Sequence, residues 1–327
     1  SNLVGSETLA LSGEGSVSDE NVGTNKTIGV DTLSMADGAN GGIASNYTLA
    51  GGTHLLTINK AVISITGTRQ YDGSTNALPA DLSLNNLQGG ENLTLTGNGT
   101  ISDKNVATGK TLDVSGLTLG NGSGGTPGLS SNYKLDGGTH TFNVTKKDIT
   151  FSGSRVYDAT TTVSSSDLVT NDTTSGETLA FSGSGTVSSA NVQNNQSITL
   201  GSITIADGSG GGLASNYNLT TGTFDISQKW VSVSGQKIYD ATTTVSSSDL
   251  EVTGEVTGES ISITGTGSVT DKNVGSGKTI DISGLSLSDG SHSASNYTIG
   301  TTSFAITPRN LTTVSYTHLT LPTIVSV

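Results

Sequence analysis

The sequence of 327 residues contains no cysteine, one tryptophan and five phenylalanines. Without cysteine it has neither a disulfide framework nor a metal site built on thiolates. It has no apolar run of about 18 residues, so the sequence predicts no membrane insertion. Only 14 Lys and Arg stand against 27 Asp and Glu, and a net charge of −13 repels a phosphate backbone. We therefore expect no nucleic-acid partner.

Helical patterning is also missing, since no stretch keeps an apolar period near 3.6 residues. The chain has 45 glycines and many serines and threonines, and its apolar residues alternate with polar ones. Val231 and Val233 alternate with serines, for example, and Phe304 and Ile306 flank an alanine. Such alternation is typical of strands with one buried face, and Gly, Asn and Asp clusters predict the turns. The sequence predicts an all-β protein with almost no helix.

Three sequence markers recur in a fixed order, about 80–86 residues apart. They are an Asn-Val pair, an Asn-Tyr pair and a Tyr-Asp pair. Recurrence at a constant spacing indicates tandem repeats of one structural unit. The Asn-Val pairs begin at Asn21, Asn105, Asn191 and Asn273, the Asn-Tyr pairs at Asn46, Asn132, Asn216 and Asn296, and the Tyr-Asp pairs at Tyr71, Tyr157 and Tyr239.

The markers divide the chain into a partial repeat 1 (1–61), repeats 2 (62–147), 3 (148–229) and 4 (230–309), and the start of a fifth repeat followed by a tail (310–327). Six or seven short strands per repeat predict small sandwich-like domains, each with its own core. A continuous solenoid is the alternative, but its rungs are usually shorter. The repeats join through two or three polar residues, so we expect an end-to-end, elongated rod.

The two ends of the sequence depart from the repeat pattern. Residue 1 falls in the middle of a repeat, so we expect a fragment. Residues 314–327 have no counterpart in any repeat and resemble a translated sequencing-adapter read-through. We therefore assign no function to this tail.

The repeats resemble the YDG/MBG-type repeats of large bacterial surface proteins. The resemblance rests on Tyr71-Asp72-Gly73, with Ala159 and Ala241 in place of the glycine in the later copies, and on the stretches "SNYTI", "VGSGKTIDISGLSL" and "FAITPRNLT" of repeat 4 and its end. It extends over residues 1–313. Because alanine replaces glycine twice, the sequence predicts that this position does not require a positive φ.

The resemblance implies the stalk or spacer region of a filamentous-haemagglutinin-like, two-partner-secreted adhesin. Such a region is extracellular, on the bacterial surface, and presents a distal part that binds a host or neighbouring cell. Any surface ligand is then bound by regions outside this fragment. The alternative is that each repeat binds carbohydrate or a host surface weakly and that the copies act together.

The repeat markers are predicted to be structural, with aromatic rings that anchor the cores and aspartates that cap turns. They are Tyr47, Tyr71, Asp72, Tyr133, Tyr157, Asp158, Tyr217, Tyr239, Asp240 and Tyr297. Glutamates recur as well, at Glu7, Glu91, Glu177 and Glu259, ahead of a Ser/Thr-Gly turn, without a predicted role.

The sequence suggests no catalytic residue and no cofactor. No G-x-S-x-G, H-E-x-x-H or Walker motif occurs, so we expect a protein that is not an enzyme. Asp37, Asp207 and Asp289 precede glycines and are weak candidates for calcium, although repeat 2 has Asn121 there and no EF-hand spacing occurs. A Lys–Asn isopeptide link is disfavoured because Gln196 replaces the recurring lysine in repeat 3.

Overall fold

A computed structural model describes residues 2–313, so the adapter-like tail lies outside the described residues. The described chain is all-β, which confirms the predicted fold class. Its only helical segments are seven 3-10 turns of three residues each, at Ala44–Asn46, Pro79–Asp81, Ser130–Asn132, Ser165–Asp167, Ala214–Asn216, Ser247–Asp249 and Ala294–Asn296. Between residues 2 and 313, no helix is long and apolar enough to cross a membrane.

The chain forms two compact units. The first comprises the residues up to 147 together with 215–218, and the second comprises 148–214 and the residues from 219 onward. The strands of repeats 1 and 2 are β1 (Leu9–Ser12), β2 (Gly23–Thr27), β3 (Ser34–Asp37), β4 (Leu55–Ile58), β5 (Ala61–Val62), β6 (Ser64–Gln70), β7 (Asn76–Ala77), β8 (Leu82–Asn85), β9 (Leu93–Gly97), β10 (Gly99–Ile101), β11 (Ala107–Asp113), β12 (Leu117–Asn121), β13 (Tyr133–Lys134) and β14 (His140–Thr145).

The strands of repeats 3 and 4 follow the same plan. They are β15 (Lys147–Val156), β16 (Thr162–Ser164), β17 (Leu168–Thr170), β18 (Leu179–Ser182), β19 (Ser184–Thr186), β20 (Gln193–Ser197), β21 (Thr204–Asp207), β22 (Tyr217–Ser227), β23 (Lys229–Ile238), β24 (Thr244–Ser246), β25 (Leu250–Thr253), β26 (Ile261–Val269), β27 (Gly275–Lys278), β28 (Ile280–Asp281), β29 (Leu285–Asp289) and β30 (Tyr297–Thr307).

Repeat 4 shows the plan most clearly. One sheet has the order β25-β23-β30-β27, and the second has the order β24-β26-β28 with β29 paired to β26. Val233, Phe304 and Ile306 from the first sheet pack with Val245 and Val269 from the second in one buried cluster. In repeat 3 the equivalent of the first sheet has the order β17-β15-β22-β20. In repeat 2 the equivalent strands are part of a six-stranded sheet.

The first and last long strands of a repeat run side by side in the same direction. β23 and β30 pair in parallel, from Lys229 opposite Tyr297 to Ile238 opposite Thr307, and β6 pairs with β14 in the same way. The chain therefore enters a repeat at one end and leaves it at the other. The next repeat begins at once, since only Gln228 separates β22 from β23.

The expectation that each repeat closes around its own interior is only partly correct. Apart from Ala61 at the end of repeat 1, which pairs with Tyr133 of repeat 2, the strand pairings within 2–313 join strands of the same repeat, as expected for separate domains. The hydrophobic core, however, is shared between neighbouring repeats. One buried cluster contains Phe224 and Ile226 of repeat 3 and also Val231, Ile261 and Tyr297 of repeat 4. A short connection leaves the ends of adjacent repeats in contact, and burying their apolar side chains together is favourable.

Candidate functional site: the joint between repeats

The asparagine of the Asn-Tyr pair in repeats 2, 3 and 4 bonds to the preceding repeat. Asn296 Oδ1 accepts a hydrogen bond from Val192 N at 2.9 Å, and its Nδ2 donates to Asn191 Oδ1 at 2.9 Å. The Asn-Tyr pair of repeat 4 is thus bound to the Asn-Val pair of repeat 3. The same two bonds occur between Asn132 and Asn21-Val22, and between Asn216 and Asn105-Val106, at 2.9–3.0 Å.

This geometry explains why the position is an asparagine. The side chain must accept from a backbone N–H and donate to an amide oxygen at once, which an amide does and a carboxylate or hydrocarbon does not. Asn296 is 1% exposed and Asn216 is fully buried, so water cannot replace a lost partner. The three bonded pairs lie about 105–111 residues apart in the chain.

The tyrosine rings of adjacent repeats also meet at this joint. Tyr157 of the Tyr-Asp pair in repeat 3 packs edge-to-face on Tyr297 of repeat 4, with ring centroids 5.5 Å apart at 79°. Within the first unit, Tyr71 packs on Tyr217 in the same manner at 5.4 Å. Edge-to-face contacts of this kind add stability beyond the buried area itself.

A buried glutamate connects the two hydroxyl groups. Tyr157 Oη donates to Glu259 Oε1 at 2.8 Å, and Tyr297 Oη donates to Glu259 Oε2. Tyr297 Oη also accepts from Val256 N at 3.1 Å. Likewise Glu7 accepts a hydrogen bond from Tyr47, and Glu91 accepts one from Tyr133 at 2.5 Å. The joint of repeats 3 and 4 hereafter means Tyr157, Asn191, Val192, Glu259, Asn296 and Tyr297.

The joint tyrosines predict a loss of stability at alkaline pH. Burial, with the carboxylate of Glu259 as the next cause, raises the pKa of Tyr157 and Tyr297 from 10.0 to about 12. An acid whose pKa is higher in the folded state favours folding below its unfolded pKa, and this contribution is lost as pH rises. We expect the free energy of unfolding to fall between pH 10 and 12.

The measurement is chemical denaturation at a series of pH values, together with phenolate absorbance near 295 nm. Tyr157→Phe removes one of the late-ionising groups and should reduce the steepness of the fall. An unchanged pH dependence in this variant would contradict the assignment to the joint.

The Tyr-Asp turn is held by its aspartate. Asp158 Oδ1 accepts from Thr160 N at 2.9 Å and pairs with Arg155 at 3.2 Å. Asp240 accepts from Thr242 N and pairs with Lys237; the backbone bond and then this lysine lower the pKa of Asp240 to about 2. Asp72 makes the equivalent bond to Ser74 N at 2.9 Å.

The prediction that the residue after this aspartate does not require a positive φ is wrong. Gly73 has φ +79°, and Ala159 and Ala241 have φ +63° and +65°. An alanine here carries the steric cost of the left-handed region, about 1–2 kcal/mol. The aspartate bonds on both sides of the turn hold it in this conformation.

A substitution at this turn should therefore stabilise the protein. Ala159→Gly removes the steric cost and adds back about 0.5–1 kcal/mol of unfolded-chain entropy, so we expect a net gain of about 0.5–1 kcal/mol. Urea unfolding measures it. Gly73→Ala is the reverse change and should cost a similar amount; a loss of stability in Ala159→Gly would refute the argument.

The recurring lysines form ion pairs. Lys110 and Lys278 contact Asp103 and Asp271 at 2.8 Å, and these contacts lower the pKa of both aspartates. In repeat 3 a neutral pair replaces them, since Gln196 Oε1 accepts from Ser189 N at 3.1 Å. The residue that each recurring lysine contacts is thus a partly exposed aspartate carboxylate.

The weak calcium candidates cap the turn before the Asn-Tyr pair. Asp37, Asp207 and Asp289 each accept a backbone N–H through Oδ1, at 2.7–2.8 Å. Asn121 makes the same bond to Ser130 N with an amide oxygen, so the bond does not need a charge. In the described part of the chain, no three His, Asp or Glu side chains converge as metal ligands.

The burial of the marker tyrosines depends on their neighbours. Tyr71, Tyr133, Tyr157, Tyr217 and Tyr297 are 1–4% exposed. Tyr47 and Tyr239 are half-buried. Tyr239 packs against the core of its own repeat. The glutamate and the asparagine contacts of the joint connect residues distant in sequence, and only their parallel recurrence in the repeats could have revealed them.

Sheets that pair within each repeat and contacts that recur between repeats define a tandem-repeat protein of small β-domains. Its sequence matches the profile of the YDG domain three times, over residues 56–142, 141–224 and 227–304. These matches cover well over half of the chain, and the chain belongs to the YDG domain family. No curated protein matches it.

Proposed function

We propose that the chain is a stalk or spacer of a secreted or surface-bound bacterial adhesin of the filamentous-haemagglutinin-like type. The observation that supports this most is the joint, which recurs with the same two asparagine bonds between all four repeats. A catalytic or ligand-binding role does not require identical contacts between the copies. A spacer requires such contacts, because they fix the angle between successive domains.

The parallel first and last strands supply the direction of the array. Ten residues of β23 pair with β30, and at about 3.3 Å per residue each repeat advances the chain by about 33 Å. Length then scales with the number of repeats. In this proposal the chain is extracellular, its acidic charge keeps it soluble, and regions outside it bind the host or neighbouring cell.

Deletion of one repeat tests the proposal. Removing residues 148–229 joins Lys147 to Trp230. In the native chain Trp230 follows another lysine, Lys229, so the new junction resembles the native one and each joint residue keeps an equivalent partner. Small-angle scattering should show a maximum dimension shorter by about 33 Å, with the remaining repeats folded. Unfolding of the remainder, or an unchanged dimension, would count against a modular spacer.

Carbohydrate binding is the second candidate, and the observation that favours it is Trp230. Its side chain is 74% exposed and lies beside Val156, Gln228 and Thr298. Exposed indole rings bind the apolar faces of sugars. The equivalent positions hold Val62 and Asp148, so this surface does not recur. A glycan array with the native chain and Trp230→Ala distinguishes the candidates: binding that the substitution abolishes would support the second one.

A further inference from the structure

The first and last strands of repeat 4 both lie in the interior of their sheet. β23 is flanked by β25 and β30, and β30 is flanked by β23 and β27. Every residue of β23, from Lys229 to Ile238, lies opposite a residue of β30, with one bulge at Gly300. A hydrogen bond from Tyr239 N to Thr307 O, at 2.9 Å, extends this ladder. In the middle of the ladder, neither strand has an open edge at which water could replace the bonds between them.

The core side chains of these two strands resist sliding of one strand along the other. Four of them are only 1–2% exposed, namely Val231, Val233, Phe304 and Ile306. Because successive side chains point to opposite faces of a sheet, a slip of one residue would move this set out of the core. The next register that keeps the same faces lies two residues, or about 7 Å, away. Sliding must therefore break the ladder and unpack the core before a new pairing can form.

Tension along the chain acts on this ladder lengthwise. The chain enters repeat 4 at Lys229, one residue after the end of β22, and β30 ends at Thr307, at the opposite end of the ladder. Because the two strands are parallel, pulling these two points apart slides β23 against β30 and loads all of their hydrogen bonds at once. In an antiparallel pair both points would lie at the same end, and the bonds would break one after another.

We propose that repeat 4 is a load-bearing domain, in which β23 and β30 form a mechanical clamp that keeps the repeat folded when the chain is pulled. In repeat 2 the clamp is shorter. Six residues of β6 pair with β14, and the loop 135–139 separates them from the two pairs of β5 with β13. Repeat 4 should therefore withstand more force than repeat 2. The clamp goes beyond the spacer role, because a spacer with weak repeats would still shorten when one repeat is deleted.

Single-molecule force spectroscopy of the whole chain tests the clamp, because a chain without cysteine can be pulled from two introduced cysteines. Handles on Trp230→Cys and Arg309→Cys, both at exposed positions, load the clamp lengthwise. Handles on Trp230→Cys and Thr298→Cys, which lie opposite each other near one end of the ladder, peel the same strands apart. We expect a several-fold higher unfolding force for the lengthwise pair. Its unfolding should release about 250 Å of chain, since about 80 residues extend by about 3.5 Å each and the folded repeat spans about 33 Å.

The two double variants differ in the direction of pulling, and forced unfolding follows the barrier to unfolding and not the equilibrium stability. Urea unfolding verifies that both are folded; Ser295→Cys, exposed and at the same end, replaces Thr298→Cys if that variant is destabilised. Equal forces in the two directions, or a lower force for the lengthwise pair, would overturn the proposal. Handles on Val62→Cys and Lys146→Cys load repeat 2 lengthwise, and a force as high as that of repeat 4 would refute the dependence on clamp length.

Discussion

Asn296→Leu should destabilise the contact between repeats 3 and 4 by about 2–3 kcal/mol. Leucine has a similar volume but makes neither bond, so the backbone N–H of Val192 loses its acceptor at a buried position. The unfolding of repeats 3 and 4 should become less cooperative, because the coupling between neighbours sets cooperativity in repeat proteins. Urea unfolding followed by Trp230 fluorescence and by circular dichroism measures this change.

Asn46→Leu is the matched control. Asn46 occupies the same place in the Asn-Tyr pair of repeat 1, but its side chain is exposed. We expect a change of at most about 0.5 kcal/mol, as for most surface substitutions. Equal effects of the two substitutions would show that the asparagine stabilises its own turn and not the joint.

Tyr157→Ala should have the largest effect of the substitutions considered, about 3–5 kcal/mol. It removes a ring that is 4% exposed, its edge-to-face contact with Tyr297, and one of the two hydroxyls bound to Glu259. Tyr157→Phe keeps the ring and loses only the hydrogen bond to a charged group, so about 1.5–3 kcal/mol is expected. Thermal and urea unfolding give both values.

Tyr239→Ala provides the comparison within the same chain. Tyr239 follows the first strand of repeat 4 as Tyr157 follows that of repeat 3, but it is half-buried and packs against the buried cluster of its own repeat. We expect it to cost clearly less than Tyr157→Ala. If the two alanine variants were equally destabilised, the tyrosine would act within its own repeat, and the joint would contribute little.

The strands and the repeats could be predicted from the sequence because both depend on local patterns. Alternation in "WVSVSG" places Val231 and Val233 in the core and Trp230 outside, as the structure has them. The turn conformation at Ala159 could not be predicted, because alanine usually avoids a positive φ and the aspartate bonds that enforce it are not visible as a pattern.

The joint was missed for a different reason. Asn296 and Asn191 are 105 residues apart, and no local rule connects the recurring Asn-Tyr pair with the Asn-Val pair of the preceding repeat. Assigning each tyrosine to the core of its own repeat was the simpler interpretation. The shared glutamate was visible as a recurrence at Glu91 and Glu259, but a carboxylate between two phenols has no sequence signature.

Residual dipolar couplings of repeats 3 and 4, measured by NMR in the native chain and in Asn296→Leu, test the central claim most directly. The claim is that the joint holds adjacent repeats in a fixed orientation. In the native chain, one alignment tensor should fit the couplings of both repeats, and in the variant each repeat should need its own. Two unrelated tensors in the native chain would contradict the account.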